Sequence, residues 1–290
     1  MTFNFRWTRN DSISLRYTIA GHGKRSMVML HELGGSLESW DEAIEPLVAD
    51  FTILRLDQRG HGGSEKVREP MTLEQLADDL DMVLIESKLP QPYWLVAAAA
   101  GAAVALIHAL RYPERVAGMV LCAPALEADA ARRTYLEQRS DLAVNHGMRA
   151  IEAATLDRSY PVALRQRGGA ARFETYRARF LGNDPVAYGL ANRALGSAQL
   201  RDGLARSHVA CLMVAGTHDP LRPPLHVAEL AALWGDPQRV EFAELDCGHL
   251  VAVQAPDELA RMIIDFVQRQ EENGDVDGLA SSLASGRAQI

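Results

Sequence analysis

A nearly uninterrupted apolar stretch, residues 93–110, constrains most strongly what this 290-residue chain can fold into. Residues 93–96 are aromatic and branched, which predicts a short buried strand. Residues 100–110 are good helix formers. Between them, residues 97–101 (AAAAG) are all tiny, as a strand needs when it turns straight into a helix and two backbones approach closely.

The turn also has the spacing of a nucleophile elbow, G-x-S-x-G, with Ala97 and Gly101 at the small positions. Its apex is Ala99, which has no hydroxyl, thiol or carboxylate. Two other interpretations are weaker. A membrane span is disfavoured because the stretch is rich in alanine and contains Gly101 and His108. A dinucleotide-binding turn is disfavoured because it requires G-x-G-x-x-G and this turn has one glycine.

The composition narrows the class of protein. With 48% hydrophobic and 23% charged residues, the chain resembles an ordinary globular protein, long enough for one large α/β domain with an insertion or for two domains. A net charge of -8 disfavours a nucleic-acid partner, because no basic excess exists to meet phosphates. An odd number of cysteines predicts reduced thiols and a cytoplasmic location, and the first residues show no signal peptide. The cysteines are Cys122, Cys211 and Cys247.

Strands and helices alternate along two parts of the chain, which predicts a mostly parallel sheet with helices on both faces. We assign residues 1–125 and 209–270 to this core. Residues 126–208 show only helical periodicity and predict a helical cap inserted over the strand ends. Residues 271–290 are small, polar and glycine-rich, and we predict a disordered tail.

Three helices of the core are predicted from their residue patterns. They span residues 39–47, 73–88 and 223–234, and Thr72 is the expected cap of the second.

In such sheets the chemistry gathers beyond the carboxyl ends of the strands. His31, Asp57 and the elbow turn all fall at predicted strand ends, and the strands near the C-terminus end at Asp219 and His249. These residues are therefore the first candidates for a site.

The same residues form four motifs of one family. They are residues 31–35 (HELGG), residues 57–64 (DQRGHGGS), the elbow at residues 96–106, and the pair of loops with Gly216-x-x-Asp219 and Gly248-His249. In this order they resemble the α/β-hydrolase superfamily, over residues 3–270. Residues 184–201 and the proline pair after Asp219 are most similar to the 3-oxoadipate enol-lactonases and small-ester hydrolases.

The resemblance implies an eight-stranded α/β-hydrolase fold and a role for each site residue. His249 is the candidate general base and Asp219 the acid that orients it. The backbone N–H groups of Leu33 and Ala100 are the candidate oxyanion hole. Ala99 occupies the nucleophile position, where no acyl-enzyme can form. Glu32 is a second departure, since a glycine usually follows the histidine of this loop.

Several other residues were weighed for the site. Glu127 or Asp129 is a rival position for the acid, and a cysteine nucleophile at Cys122 or Cys247 is disfavoured because neither lies at the elbow. His61 and His218 receive no role. We expect structural roles for Asp57, Arg59 and Ser64, and no metal or cofactor, because no H-x-x-x-H or C-x-x-C spacing is present.

The sequence favours a hydrolase of a small labile acyl compound (an enol-lactone, ester, carbamate or enamine) that activates water directly. One alternative is a serine esterase or lactonase whose nucleophile has been changed to Ala99, and another is a non-catalytic receptor for small molecules. We expect a small-molecule substrate and no nucleic-acid or membrane partner, and leave a homodimer open. Arginines of the cap are interpreted as a solvated helix face, with carboxylate binding as the alternative. They are Arg132, Arg133, Arg165, Arg167, Arg172, Arg177 and Arg179.

Overall fold

The computed structural model describes residues 4–9 and 13–285. Within these ranges, eight strands form one sheet. They are β1 (Phe5–Arg9), β2 (Ser14–Ala20), β3 (Arg25–Leu30), β4 (Phe51–Leu56), β5 (Tyr93–Ala98), β6 (Val116–Cys122), β7 (Ala210–Gly216) and β8 (Val240–Leu245).

The sheet has the strand order β1-β2-β4-β3-β5-β6-β7-β8. β1 pairs with β2, and β2 with β4, in antiparallel register, whereas the pairs from β4 to β8 are all parallel. Parallel neighbours need crossover connections, and helices supply these. The predicted mostly parallel, eight-stranded sheet is therefore confirmed, and β5, which carries the elbow, lies near its centre.

Eleven α-helical segments are described alongside the sheet. They are α1 (Leu73–Ser87), α2 (Ala100–Arg111), α3 (Ala130–His146), α4 (Glu152–Ser159), α5 (Val162–Leu164), α6 (Ala170–Leu181), α7 (Pro185–Gly196), α8 (Arg201–Leu204), α9 (Pro224–Ala231), α10 (Val251–Gln254) and α11 (Pro256–Ser285). α1 begins as predicted at Thr72, whose side chain accepts from the backbone N–H of Gln75 at 3.1 Å.

Hydrophobic side chains bury both faces of the sheet. On one face the strands pack against α1, α2 and α9, and on the other against α10 and α11. α2 is buried almost all round, which explains why its sequence has hardly any polar face. The elbow is consequently fixed between a central strand and a buried helix.

The helices α3 to α8 lie between β6 and β7 in the chain and have a small core of their own. Phe173, Tyr176 and Phe180 pack in this core together with Leu250 and Val253, which follow β8. The helical segment is therefore anchored on the loop that carries His249.

Element ends differ from the sequence predictions in three places. The predicted helix at residues 39–47 is a 3₁₀ turn, Leu37–Trp40, followed by further turns, and α9 ends at Ala231 rather than at residue 234. Where the sequence predicted a disordered tail, α11 continues past residue 270 as far as Ser285. Glu271 in this continuation pairs with Arg25 at 2.6 Å. Residues 286–290 lie outside the described residues.

No described helix is both long enough and apolar enough to cross a membrane.

Candidate active site

The turn between β5 and α2 has the backbone of an elbow. Ala99 adopts φ 46° and ψ −107°, a conformation that non-glycine residues rarely occupy. Its N–H donates to the carbonyl oxygen of Cys122 at 2.9 Å, and its carbonyl accepts from the N–H of Ala125 at 3.0 Å. The strained turn is thus held by the loop after β6, although Ala99 presents only a methyl group at its apex.

Gly101 is required by the packing of this turn. A Cβ atom there would lie 2.7 Å from the carbonyl oxygens of both Leu30 and His31. Backbone atoms cannot yield as a flexible side chain can, so the helix after the elbow can approach the loop after β3 only if this position is glycine.

His249 and Asp219 meet beside Ala99. His249 Nδ1 lies 2.7 Å from Asp219 Oδ2, the Asp219 side chain is fully buried, and that of His249 is 13% exposed. A carboxylate at this distance fixes the tautomer in which Nδ1 carries the proton, leaving Nε2 as an acceptor. The structure therefore brings together the two side chains that the sequence paired.

The surroundings of Asp219 keep it ionised. Burial alone raises the pKa of Asp219, but the charge and hydrogen bond of His249 and the backbone N–H groups of Leu221 and Arg222 outweigh burial and lower it. The Leu221 N–H donates to Asp219 Oδ1 at 2.7 Å. Asp219 consequently remains an acceptor for His249 at neutral pH.

Residues from two elements position the histidine loop. Gln254 Oε1 accepts from the backbone N–H of Gly248 at 2.9 Å and of Leu250 at 3.2 Å. The N–H of His249 itself donates to the carbonyl of Ser159 at the end of α4, at 3.1 Å. The orientation of His249 therefore depends on both α10 and the helical segment above it.

The two backbone N–H groups predicted to form an oxyanion hole belong to Leu33 and Ala100. In the part of the chain that the structure describes, neither N–H donates a hydrogen bond. Both residues line the same cavity as Ala99 and His249. Ala100 also begins α2, whose dipole favours negative charge at that end.

Glu32 is held by side chains rather than free in the cavity. Its Oε1 accepts from Ser39 Oγ at 2.9 Å, and the Tyr176 side chain lies close enough to feel its charge. Burial, and then the charge of Glu32, raises the pKa of Tyr176 well above its ordinary value. Gly35 makes room for Glu32, because a Cβ there would lie 2.1 Å from Oε1. Glu32 still contributes to the wall of the cavity.

These groups surround an inner cavity of about 50 Å³. Besides the residues already described, its walls include Thr155, Arg132, Arg139 and Arg222. A cavity needs only about 10–15 Å³ to hold a water, so a water or a small acyl group fits beside Ala99.

Asp57 and Arg59 anchor the loop after β4, which lies beneath the site. Asp57 accepts from the backbone N–H of Leu37 at 2.7 Å, from Gly63 at 2.6 Å and from Arg16 Nε at 2.5 Å. Arg59 forms a bidentate pair with Asp79 at 2.5 and 2.6 Å. Asp57 and Arg59 therefore connect this loop to the sheet and to α1, as the sequence suggested.

The other weighed residues lie elsewhere. Glu127 pairs with Arg201 at 3.1 Å, and Asp129 caps α3 by accepting from the N–H of Arg132 at 2.7 Å. His61 Nδ1 lies 3.1 Å from the carbonyl of Arg59, and His218 Nε2 lies 2.7 Å from Asp246. None of these side chains contacts His249.

The thiols are poor nucleophiles. Burial raises the pKa of all three cysteines, and for Cys247 burial together with Asp219 and Asp246 raises it to about 12. All three are free and buried. Among the described residues, no cluster of three or more histidine, cysteine or acidic side chains could hold a metal ion.

The sequence analysis missed several residues of the cavity wall, four of them with long or polar side chains that bear on binding. Arg139, Thr155 and Tyr176 lie on helices that the sequence did not resolve into a pocket, and Arg222 lies three residues after Asp219. The preferred interpretation of the cap arginines is wrong for Arg132, which lines the cavity, but it holds for Arg172 and Arg177, which pair with Glu42 and Glu152 near the surface.

Several known proteins are similar to parts or to most of this chain. A family model described as alpha/beta hydrolase fold matches residues 25–145. Over 127 residues the chain is 31% identical to a dihydrolipoyllysine-residue acetyltransferase component of an acetoin cleaving system from Cupriavidus necator, which covers 44% of this chain and 34% of that protein. The chain thus spans about a third of that relative.

Two further similarities extend over most of the chain. It is 23% identical over 221 residues to a 3-oxoadipate enol-lactonase from Acinetobacter baylyi, covering 76% of this chain and 81% of the enol-lactonase. The crystal structure of the enol-lactonase from Burkholderia xenovorans superposes with a TM-score of 0.84 at 26% identity, covering 91% of this chain and all of that one.

Proposed function

Because this chain has the α/β-hydrolase fold and resembles enol-lactonases of that superfamily, we propose that it hydrolyses a small labile acyl compound by direct attack of water. The substrate is an enol-lactone, an activated ester or a carbamate, each of which has a carbonyl carbon that water can attack. The observation that carries the proposal is the hydrogen-bonded His249–Asp219 pair, with His249 lining the same cavity as Ala99.

The proposed reaction uses His249 as general base. Nε2 takes a proton from a water in the inner cavity as its oxygen bonds to the acyl carbon, and the C=O electron pair moves to the oxygen. His249 then returns the proton to the departing oxygen or nitrogen as the bond from the acyl carbon breaks. Asp219 holds Nδ1–H throughout and stabilises the imidazolium.

The oxyanion accepts hydrogen bonds from the N–H groups of Leu33 and Ala100. Such donors contribute roughly 3 kcal/mol each to stabilising the developing charge, and they need no side chain at position 99. An oxyanion hole and substrate binding without a nucleophile can give about 10³–10⁴-fold acceleration over water. A hydrolysis that already runs at a measurable rate without a catalyst therefore suits this site.

A second candidate is a serine hydrolase frame whose nucleophile is replaced by Ala99. The strained backbone of Ala99 favours it, because φ 46° and ψ −107° serve to present a side chain to the cavity. Ala99→Ser separates the two candidates.

The test is hydrolysis of an enol-lactone, an activated aryl ester and an aryl carbamate by the chain and by its Ala99→Ser variant. We expect the chain itself to turn over at least one of them, with less than tenfold gain from the serine. Hydrolysis that appears only in Ala99→Ser, together with labelling by a fluorophosphonate probe, would instead establish the serine frame.

A further inference from the structure

The inner cavity shares part of its wall with a larger outer cavity of about 770 Å³. Arg132, Leu221 and Arg222 line both cavities, so they form the junction between them. A substrate that reaches Ala99 and His249 from the outer cavity must pass these two arginines. The group that recognises the substrate is therefore to be sought at the junction.

Three guanidinium groups on the inner wall lack an acidic partner. No carboxylate of the described residues lies within 4.0 Å of the guanidinium of Arg132, Arg139 or Arg222, although Asp219, Glu127 and Asp129 lie farther off in their field. We call these three residues the arginine cluster. Arg222 is buried, and Arg132 and Arg139 are partly buried. A desolvated cation without a partner costs folding free energy, and such a cost is expected where function requires it.

Some hydrogen-bond donors of the arginine cluster also have no acceptor. The Nε atoms of Arg132 and Arg139 are buried without an acceptor among the described residues, and so is the hydroxyl of Thr155 on the same wall. Arg139 donates one Nη2 bond to the hydroxyl of Tyr188. Arg222 is anchored by the carbonyls of Pro124 and Leu221 at 3.2 and 2.8 Å. The wall thus has spare donors.

Within the outer cavity, the acidic side chains are already engaged. Glu127 is paired with Arg201, and Asp129 caps α3. Arg133 and Arg158 add two more cations to this wall. The approach to the junction is therefore positively charged, which attracts an anion.

From this geometry we propose that the arginine cluster binds a carboxylate of the substrate, which lies at the junction while the labile acyl group enters the inner cavity. A guanidinium fork matches the planar carboxylate and donates two parallel hydrogen bonds. This inference deepens the proposed function, on which it rests for the acyl group.

The kinetic test compares 4-acetoxybenzoate with 4-acetoxybenzamide, in which a neutral amide of similar size replaces the carboxylate and the cleaved ester is the same. We expect the chain to prefer the carboxylate by at least tenfold in kcat/KM, and Arg132→Gln or Arg222→Gln to lower that preference by roughly 10-fold to 100-fold. Arg193→Gln is the matched control, because Arg193 lies on the same helical segment but pairs with Asp141 and is 48% exposed.

A binding test keeps the two proposals separable. Calorimetry with 4-acetamidobenzoate and with 4-acetamidobenzamide needs no hydrolysis. Carboxylate-selective binding that both arginine variants lose, and His249→Ala retains, supports the carboxylate site even if no ester is cleaved. Equal binding of acid and amide, or equal turnover of both esters in the chain, overturns it, and turnover without preference leaves the hydrolase proposal standing.

Discussion

Arginines lie both below and above the candidate site, but in opposite circumstances. Below it, Arg16 contacts Asp57 at 2.5 Å and Glu38 at 2.7 Å, and Arg59 pairs with Asp79 at 2.5 Å. Above it, among the described residues, the arginine cluster has no carboxylate within 4.0 Å. The chain can evidently supply partners for buried cations, and it does so on one side only.

This difference separates two uses of the same residue. A paired and hydrogen-bonded buried arginine holds loops together, and removing its partner strands a charge. An unpaired arginine that is removed from water lowers the free energy of unfolding. Such residues are expected at functional sites, where binding a ligand requires them. The loops beneath the site are therefore a scaffold, and the wall above it is a binding surface.

The largest loss of stability should follow from removing a carboxylate that pairs with an arginine below the site. In Asp57→Asn, the amide turns an N–H toward Arg16 or Gly63, which are themselves donors. We expect a loss of about 3–5 kcal/mol in the free energy of unfolding, measured by urea denaturation.

Asp141→Asn is the control for this change, because Asp141 is 61% exposed and pairs with Arg193 near the surface. It should cost less than about 1 kcal/mol. If the two variants are equally stable, the pairing beneath the site does not support the fold.

A smaller effect should come from His61, which lies in the loop below the site. The free energy of unfolding should decrease in acid because of this residue. Burial, and then the charge of His31, lowers the pKa of His61 to about 3. The unfolded chain binds its proton near pH ~6.5, so the stability contribution is complete above that pH and declines as pH falls toward 3.

Between pH 6.5 and 4.5 the loss is at most about 2.7 kcal/mol. His61→Gln should flatten the pH dependence of the urea midpoint over this range. His218→Gln should leave the slope as it is, because His218 lies near the surface beside Asp246. An unchanged slope in His61→Gln would contradict the account.

The smallest effect should come from the upper region. Within the described ranges, the Arg132 side chain makes no hydrogen bond. Its guanidinium carbon lies 5.2 Å from the ring centroid of Tyr135. Arg132→Met should therefore leave the free energy of unfolding unchanged or raise it by up to about 1 kcal/mol. A loss above about 1.5 kcal/mol would make Arg132 part of the scaffold.

Local patterns were enough to predict much of the fold. The order of strands and helices, the elbow and the cap on Thr72 follow from periodicity and from residues adjacent in sequence. The continuation of α11 past residue 270 could not be predicted in this way. Glu271, at the start of that continuation, pairs with Arg25, which lies 246 positions away in the sequence.

The candidate site divides in the same way. His249 and Asp219 follow strands and could be placed from motifs, since parallel strands end at one edge. The wall residues Arg139, Thr155 and Tyr176 lie on α3, α4 and α6, and their convergence depends on how these helices pack. Helical periodicity predicts which face of each helix is apolar, but it does not predict which helices pack together. The sequence alone therefore could not distinguish the arginine cluster from a solvated helix face.

The most direct test of the account is the rate of hydrolysis of a labile substrate by His249→Ala. Circular dichroism should first show that the variant is folded. If His249 activates water, kcat should fall about 10²–10⁴-fold toward the uncatalysed rate, and added imidazole should restore part of it. A variant that hydrolyses the substrate as fast as the chain itself would show that the His249–Asp219 pair does not perform the reaction.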